Sequence, residues 1–243
     1  MTVGFWRKIF ITMRIAVVSC VDAVRVIGVK FLRRNNVAYI HEIIHDWARL
    51  VLSILQVDYK IIDHHGFIFL EHRSYIIMSN HCSHVDIPLI YATFAKDKLG
   101  MISKKEIFRI PIFGYSMKLG GCLSIDRKNK RQAARDLLVA KDRMLAGMRL
   151  WIAPEGTRSS SDVLGTFKKG GFKIAREVNA MIVPVTIVGS HRVLPAKTLD
   201  YSLGELVEIH IGRPIDTMNY SANDLEMLMA DTAKAISSRL PKP

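Results

Sequence analysis

A short polar segment with the sequence NHCSHVD, residues 80–86, separates two apolar runs. On a regular helix His81 and Asp86 would point about 140° apart. If a turn leads into a helix here, with Ser83 or Asp86 near its N-cap and Pro88 in its first turn, the two side chains can face each other. An aspartate bound to one imidazole nitrogen leaves the other nitrogen as a base. The segment fits such a catalytic pair, and it also fits a capped helix beside a hydrogen-bonded histidine.

A metal site and a nucleophilic thiol are alternatives for the same segment. His81 and His84 are three residues apart, with Asp86 or the histidines at 64–65 as further donors. The H-E-x-x-H spacing of zinc enzymes is absent, however, and no third ligand is evident. Cys82 lies beside His81, although a small residue that fills a turn is the simpler interpretation. We therefore expect neither a bound metal nor a cofactor.

Three further segments carry residues suited to bind an anion. Arg127 follows the apolar run in GGCLSIDR, where a guanidinium can hold a phosphate through two parallel hydrogen bonds. In PEGTRS, Gly156 lets the backbone approach a ligand closely, and Arg158 can reach an anion. The segment FKKGGFKIA places Lys168 and Lys169 before a predicted helix start, which also favours an anion. Taken singly, each of these cations is more often an ordinary surface residue.

The elements that must position these residues follow residue 58, where strand-like runs alternate with helical patterns. Predicted strands are 67–70, 75–79, 99–102, 122–125, 150–153, 182–188 and 207–211. Predicted helices lie near 83–95, 105–118, 129–147 and 169–179, and a last one starts near Ser221 with a capping-box pattern to Asp224. The alternation favours an α/β domain over residues 59–243, with a mainly parallel mixed sheet flanked by helices. Sites in such sheets gather where strands end, which is where the polar segments lie.

Pro184 interrupts one of these predicted strands, in the run IVPVTIVG. Because proline has no backbone N–H to donate, the position predicts an edge strand, a bulge or a bend.

Residues 1–58 are predicted to form a membrane-associated helical hairpin. The first 34 residues contain seven basic residues and one acidic residue. Their apolar runs are shorter than the roughly 18–20 residues that a membrane span needs, and a signal-peptide cleavage site is missing. Four charged residues fall within one sector of a helical wheel: Arg7, Arg14, Asp22 and Arg25. We predict a helix in the membrane interface with this sector towards the headgroups, followed by a second helix over 37–57. The alternative is a helix that packs into the core.

The composition limits the class of partner. The chain has 243 residues, 49% of them hydrophobic, and a formal net charge of +13. This charge suits nucleic acid, anionic lipid or phosphorylated small molecules. A nucleic-acid-binding protein is not favoured, because the chain shows neither interleaved basic and aromatic residues nor a zinc knuckle. The three cysteines are scattered without C-x-x-C spacing, which indicates a reducing compartment rather than a disulfide framework.

The order of the segments NHCSHVD, KKEIFRIPIFG, GGCLSIDR, PEGTRS and IVPV resembles the glycerolipid acyltransferase family, specifically its bacterial 1-acyl-sn-glycerol-3-phosphate acyltransferases. Asn80, His81 and Asp86 match the N-H-x-x-x-x-D motif of that family, and residues 155–158 match its E-G-T-R motif. Arg127 and the proline at 184 match its second and fourth motifs. The resemblance covers about residues 60–215.

The resemblance implies transfer of a fatty acyl group from acyl-CoA or acyl carrier protein to the sn-2 hydroxyl of lysophosphatidic acid, at the cytoplasmic face of the cell inner membrane. His81 would be the general base, and Asp86 would orient it. The acceptor and its phosphate would be bound by Lys105, Arg127, Glu155, Gly156, Thr157, Arg158 and Pro184. Another lysolipid, such as a lyso-ornithine lipid or lysophosphatidylcholine, is the alternative acceptor. A non-catalytic membrane-surface protein would leave the pair of His81 and Asp86 unexplained.

Overall fold

The computed structural model of the protein describes residues 3–32, 36–95, 97–125, 130–159, 163–221 and 223–241. Its helices are α1 Phe5–Leu32, α2 Val37–Ile54, α3 Asp86–Thr93, α4 Phe113–Leu119, α5 Lys130–Leu145, α6 Lys169–Glu177, α7 Ser190–Val193 and α8 Leu225–Ser237. Its strands are β1 Asp58–Asp63, β2 Tyr75–Ser79, β3 Leu99–Lys104, β4 Leu123–Ile125, β5 Arg149–Ile152, β6 Met181–Val188, β7 Leu206–Ile211 and β8 Ile215–Asp216. Short 3-10 helices lie at Ile107–Arg109 and Thr217–Asn219.

Within these described ranges, eight strands form one sheet in the order β1-β7-β6-β2-β5-β3-β4, with β8 paired to β6. The pairs β1–β7, β6–β2, β2–β5, β5–β3 and β3–β4 are parallel, whereas β6 is antiparallel to β7 and β8. The prediction of a mainly parallel mixed sheet flanked by helices is confirmed. Because β2, β3 and β5 run in one direction, the segments that follow them meet at one edge of the sheet.

Both faces of the sheet are covered, and β2 contributes to the core on each side. Tyr75 and Ile77 join a cluster that includes residues of α2 and α3, whereas Ile76 and Met78 join a cluster with α6 and α8. All five residues of β2 are buried. This burial on two faces explains why β2 is a continuous apolar run in the sequence rather than an alternating one.

Apart from the two-residue strand β8, which was not predicted, two details of the strand prediction are wrong. Residues 67–70 form no strand; instead, Phe67 and Phe69 pack their rings against each other and against Tyr75. Their hydrophobicity therefore reflects side-chain packing without backbone pairing. Strand β1 was not predicted, because most of its residues are exposed and its sequence lacks an apolar pattern. Its pairing with β7 defines it.

The helix predicted near 105–118 is divided in two. A 3-10 turn ends at Arg109, and α4 begins only at Phe113. Pro111 has no N–H to continue a helix, and the positive φ of 63° at Ile112 interrupts the helical backbone. The remaining predicted helices, α3, α5, α6 and α8, lie within or close to their predicted ranges.

Pro184 lies in an interior strand, so the edge-strand alternative is wrong. β6 pairs with β2 on one side, where Met78 is the partner of Pro184. On its other side β6 pairs with β7 from Val185 onwards and with β8 at Met181 and Ile182. Pro184 therefore occupies the gap between two antiparallel partners, where its missing donor is tolerated. Its carbonyl still accepts a hydrogen bond from the N–H of Gly212 at 2.9 Å.

Helices α1 and α2 pack against each other and onto α3 and α4. The inner face of α1 buries Ile11, Ala23, Val26 and Val29 together with Asp22. The prediction that placed Asp22 in a sector facing the headgroups is wrong. Asp22 is 8% exposed, and its Oδ1 accepts a hydrogen bond from Nη1 of Arg25 at 2.7 Å. An arginine three residues along the helix thus allows the carboxylate to be buried.

The opposite side of α1 is exposed and largely apolar. We call it the outer stripe, and its residues are 53 to 80% exposed: Trp6, Phe10, Met13, Val17, Val21, Val24 and Phe31. Arg7, Arg14 and Arg25 are also exposed. Across the described residues, no helix combines the length and the hydrophobicity that crossing a membrane requires.

The division of the chain near residue 58 stays a prediction, since residues of α2 such as Leu52 share a core with the sheet.

Candidate active site

The loop that carries the polar segment is fixed to the sheet by Asn80. This residue follows the last residue of β2 and is 2% exposed. Its Nδ2 donates to the carbonyl of Ile187 at 2.8 Å, and its Oδ1 accepts from the N–H of the same residue at 2.8 Å. The side-chain amide of Asn80 thus forms the same pair of hydrogen bonds with β6 that the backbone of a neighbouring strand would form. The chain therefore leaves β2 in a fixed direction before it reaches His81.

His81 and Asp86 face each other across the turn into α3. The distance from Nδ1 of His81 to Oδ2 of Asp86 is 2.7 Å. The same Oδ2 accepts the backbone N–H groups of Cys82 at 2.8 Å and Ser83 at 2.9 Å. Asp86 is the first residue of α3 and is fully buried, whereas the side chain of His81 is 17% exposed. The start of a helix also favours a carboxylate through the helix dipole.

This geometry determines which nitrogen of His81 can react. A carboxylate only accepts hydrogen bonds, so Nδ1 donates and carries the proton. Nε2 is then the unprotonated nitrogen of the neutral ring, available to take a proton from a ligand. The catalytic-pair interpretation requires this arrangement, and an isolated helix cap does not.

Glu155 connects the loop after β5 to the backbone of His81. Its Oε1 accepts the His81 N–H at 3.0 Å, and its Oε2 accepts the N–H of Gly165 at 2.7 Å. The N–H of Ser159 donates to the carbonyl of His81 at 2.8 Å. Glu155 is 5% exposed, and this burial raises the pKa of its carboxyl group despite the two backbone hydrogen bonds. The role of Glu155 in acceptor binding stays a prediction; its visible contacts are to backbone.

The other predicted binding residues lie at different depths. Gly156 adopts a φ of 74°, which a glycine tolerates without strain, and Thr157 is exposed. Arg158 is half-buried and forms no ion pair within the described part of the chain. Lys105 is exposed directly after β3. Pro184 is buried in the sheet, and Arg127 lies outside the described residues.

His84 locates Arg158 relative to the site. Partial burial, followed by the charge of Arg158 and then that of His81, lowers the pKa of the His84 imidazole. A positive charge acts in this way only at short range, so the guanidinium of Arg158 lies near His84, three residues after His81. A cation at this place can hold an anionic ligand close to the open nitrogen of His81.

The geometry bears on the two alternatives for this segment, a metal site and a nucleophilic thiol at Cys82. Within the described ranges, no group of three or more His, Cys, Asp and Glu residues is arranged to hold a metal ion. Nδ1 of His81 is engaged by Asp86, which leaves one nitrogen for any other partner. Cys82 is 1% exposed, so its sulfur does not reach the surface where a substrate would bind.

An apolar cavity of about 420 Å³ begins beside the polar site. His84, Val85 and Pro88 line it at one side, next to His81 and Asp86 in the chain. It extends between α1 and α2 on one side and α3 and α4 on the other. Its wall is formed mainly by apolar residues of α1, α2 and α4, including Ile15, Ala23, Val26, Ile43, Ile44, Trp47, Val51, Phe113 and Met117. No sequence pattern predicted the cavity, because it forms between elements that are far apart in the chain.

Trp151 is a further neighbour of His81 that sequence reasoning missed. Its ring lies 5.9 Å from that of His81, centroid to centroid, at an angle of 88°. A tryptophan inside an apolar strand predicts only a core residue, so no sequence signal marked it.

Known proteins resemble this chain. A family model described as "Acyltransferase" matches residues 61–188. An uncharacterized acyltransferase of Schizosaccharomyces pombe is 31% identical over 194 residues, which are 79% of this chain and 68% of that protein. A probable 1-acyl-sn-glycerol-3-phosphate acyltransferase of Mycoplasma pneumoniae is 31% identical over 175 residues, 68% of this chain and 65% of that protein.

Other relatives are matched over a smaller part or at lower identity. A chloroplastic 1-acyl-sn-glycerol-3-phosphate acyltransferase of Arabidopsis thaliana is 32% identical over 140 residues, 58% of this chain but only 39% of that protein. The crystal structure of the 1-acyl-sn-glycerophosphate acyltransferase of Thermotoga maritima superimposes with a TM-score of 0.75 at 23% identity. That match covers 97% of this chain and 98% of the other, and it establishes a shared fold.

Proposed function

The chain belongs to the acyltransferase family, and on this premise we propose that it transfers a fatty acyl group from an acyl thioester to the sn-2 hydroxyl of lysophosphatidic acid. The product is phosphatidic acid. The observation that carries the proposal is the 2.7 Å bond between Nδ1 of His81 and Oδ2 of the buried Asp86. It leaves Nε2 as a base, which is the group that an alcohol needs to attack a carbonyl.

The reaction needs one proton transfer and one displacement. Nε2 of His81 takes the proton of the acceptor hydroxyl while the hydroxyl oxygen bonds to the thioester carbonyl carbon. The C–S bond then breaks, the thiolate leaves, and the imidazolium returns its proton to the thiolate or to water. Asp86 stabilises the imidazolium in between. A thioester is already activated, so the mechanism needs no acyl-enzyme on Cys82. General-base assistance of this kind contributes roughly 10²- to 10⁴-fold.

Arg158 is the proposed partner of the acceptor phosphate. Its guanidinium is half-buried near His84, without an acidic partner in the described part of the protein. A guanidinium with free donors binds phosphate through paired hydrogen bonds and thereby orients the hydroxyl towards His81. We propose that Arg127 and Lys105 add to this positive site, with the E-G-T-R turn forming its floor.

The apolar cavity is the proposed site of a fatty acyl chain. It adjoins the catalytic loop at His84 and Val85 and is lined almost entirely by hydrocarbon and aromatic side chains. A chain that enters it buries its methylene groups, each worth about 0.8 kcal/mol. Since the cavity ends next to the polar site, the carboxyl end of the chain would remain beside His81.

The outer stripe of α1 is the proposed membrane contact, on the cytoplasmic face of the inner membrane. Large apolar side chains such as Trp6, Phe10 and Phe31 are exposed along one side of the helix. Arg7, Arg14 and Arg25 are exposed with them and can meet anionic headgroups. Because the cavity lies beneath the same helix, lipid chains would have a short route from the bilayer to the site.

A substrate panel tests the proposal. The wild type and His81→Ala are assayed with lysophosphatidic acid, lysophosphatidylcholine and a lyso-ornithine lipid, each with acyl-CoA and with acyl carrier protein. Release of the free thiol and formation of acylated lipid are measured together. We expect phosphatidic acid from the wild type only. Faster acylation of either of the other two lysolipids would show that the acceptor has been assigned wrongly, because Arg158 would then have no phosphomonoester to select.

A further inference from the structure

Trp151 stands out because it touches the catalytic histidine and has no role in the proposed reaction. It lies on β5 as the register partner of Ile77 on β2. Register partners in a parallel sheet point to the same face, and so does Ser79, two residues after Ile77. The indole therefore extends along this face towards the carboxyl end of β2, where His81 follows.

Two contacts fix the indole in this position. Its Nε1–H donates to Oγ of Ser79 at 2.9 Å, and Ser79 is fully buried. Its ring meets the ring of His81 edge to face, with centroids 5.9 Å apart at 88°. Edge-to-face pairs at this separation are favourable beyond the area that they bury. Trp151 itself is 4% exposed, so it is held on all sides.

The bond to Asp86 fixes the plane of the imidazole only in part. The ring turns about two side-chain torsions, χ1 and χ2, and a single hydrogen bond at Nδ1 leaves a combined rotation of the two that moves Nε2. A second contact on the ring removes that freedom. We propose that Trp151 is a positioning residue for His81, and that its indole holds the imidazole plane so that Nε2 stays directed at the acceptor hydroxyl. The inference rests on the proposed function.

An ordinary core tryptophan would also be buried on this strand. The hydrogen bond to Ser79 satisfies the buried N–H, as any buried indole requires, and it also fixes the ring next to His81. The contact that a residue filling volume elsewhere on the strand would lack is the one with the imidazole. The two roles also predict different kinetics, because loss of packing lowers stability whereas loss of alignment lowers turnover.

Kinetics of three variants test the alignment. Trp151→Leu removes the ring, and we expect kcat to fall roughly 10- to 100-fold while the KM values for both substrates change less than about twofold. Trp151→Phe keeps an aromatic ring and should retain most of the turnover. The control is Phe172→Leu, which removes a fully buried ring on the other face of the sheet and should lower Tm without this loss of kcat. If kcat falls equally in both leucine variants, Trp151 is a packing residue and the inference is wrong.

Fluorescence gives a second test that does not require Trp151 to be replaced. The chain has three tryptophans, so Trp6→Phe combined with Trp47→Phe leaves Trp151 as the single indole. The emission of this indole reports its edge-to-face contact with the ring of His81. We expect His81→Gln to change the emission, because the ring contact is lost. Acylation by the single-tryptophan protein together with unchanged emission in its His81→Gln variant overturns the positioning role alone. Failure of the wild type to acylate any lysolipid overturns the proposed reaction and the positioning role with it.

Discussion

The loop that carries His81 and Asp86 and the outer stripe of α1 differ in how their side chains are partnered. In the loop, one oxygen of the buried Asp86 accepts three hydrogen bonds, and Asn80 and Glu155 each bond two backbone groups. The other oxygen of Asp86 is buried without a partner among the described residues. On the stripe, aromatic and aliphatic side chains are 53 to 80% exposed. The loop is thus held mainly by bonds within the chain, whereas the stripe presents apolar surface that another apolar phase can cover. Variants in the two regions should therefore fail in different assays.

The largest effect is expected for His81→Ala, which removes the base. We expect kcat to fall roughly 10³- to 10⁴-fold, and Asp86→Asn to be severe but less complete, since it disturbs orientation and charge rather than the base. Both are measured on detergent-dispersed substrate, where membrane binding plays no part. Vesicle binding should be unchanged in both variants. A folded His81→Ala protein with more than half of the wild-type turnover would rule out the mechanism.

The matching change in the second region is the double reversal of Arg7 and Arg14 to glutamate; Arg25 is kept because it pairs with the buried Asp22. Attraction of about 1 kcal/mol per basic residue predicts at least a roughly thirtyfold loss of affinity for anionic vesicles. The loss should shrink at high salt because of screening. Co-sedimentation is compared with turnover on detergent-dispersed substrate, which should stay near the wild-type value. A protein that lacks residues 1–34 should bind anionic vesicles still more weakly. Equal binding by all three proteins would mean that α1 serves only to pack.

Stability in acid should depend on a histidine between the two regions. His41 on α2 is 4% exposed, and neither of its ring nitrogens has a hydrogen-bond partner among the residues that the structure describes. Burial, followed by the nearby His45 and Lys98, lowers the pKa of His41 from 6.5 to about 4. The unfolded chain binds a proton below pH 6.5 and the folded chain does not, so the free energy of unfolding falls as the pH drops towards 4.

The variant His41→Leu should lack this acid sensitivity. Between pH 7.5 and pH 5 it should lose about 2 kcal/mol less of its free energy of unfolding than the wild type does. Urea unfolding at the two pH values measures the difference, and His65→Leu, at an exposed position, is the control. The idea fails if His41→Leu and the wild type show the same change with pH.

A smaller effect, confined to one substrate, is expected for Arg158→Ala. Loss of the phosphate partner should raise the KM for lysophosphatidic acid about tenfold, or lower kcat if the contact tightens in the transition state, while the KM for the donor stays nearly constant. Arg158→Lys should rescue only in part, since it cannot form paired hydrogen bonds. Initial rates with either substrate varied separate these cases. Unchanged dependence on the acceptor would remove Arg158 from the phosphate site.

The smallest effect is expected for Cys82→Ala, directly beside the base. The thiol is buried and has no step in the reaction, so turnover should stay within about twofold of the wild type. Complete loss of turnover in a folded variant would restore the covalent alternative.

The sequence predicted the loop of His81 and Asp86 better than it predicted the residues packed around that loop. The strand before His81 and the helix after Asp86 follow from local patterns, because a buried parallel strand is continuously apolar and a helix start accepts a carboxylate. Trp151 could not be recognised, since its contact with His81 depends on the register between β5 and β2. The predicted orientation of α1 was partly correct. A helical wheel finds the sector of charges but not the burial of Asp22, which depends on α2 and on its bond to Arg25.

The pairing of β1 with β7 has a consequence for synthesis of the protein. The two strands pair residues 58–63 with residues 206–211. After β1 is synthesised, 148 further residues must therefore be added before its partner strand is complete. At common elongation rates this interval lasts roughly 7 to 30 seconds. During that time α1 and α2 have already left the ribosome, while the sheet on which they will pack is incomplete. The outer stripe is therefore accessible before the sheet edge that carries His81 has formed. If α1 makes the proposed membrane contact, the domain would complete its folding at the bilayer surface.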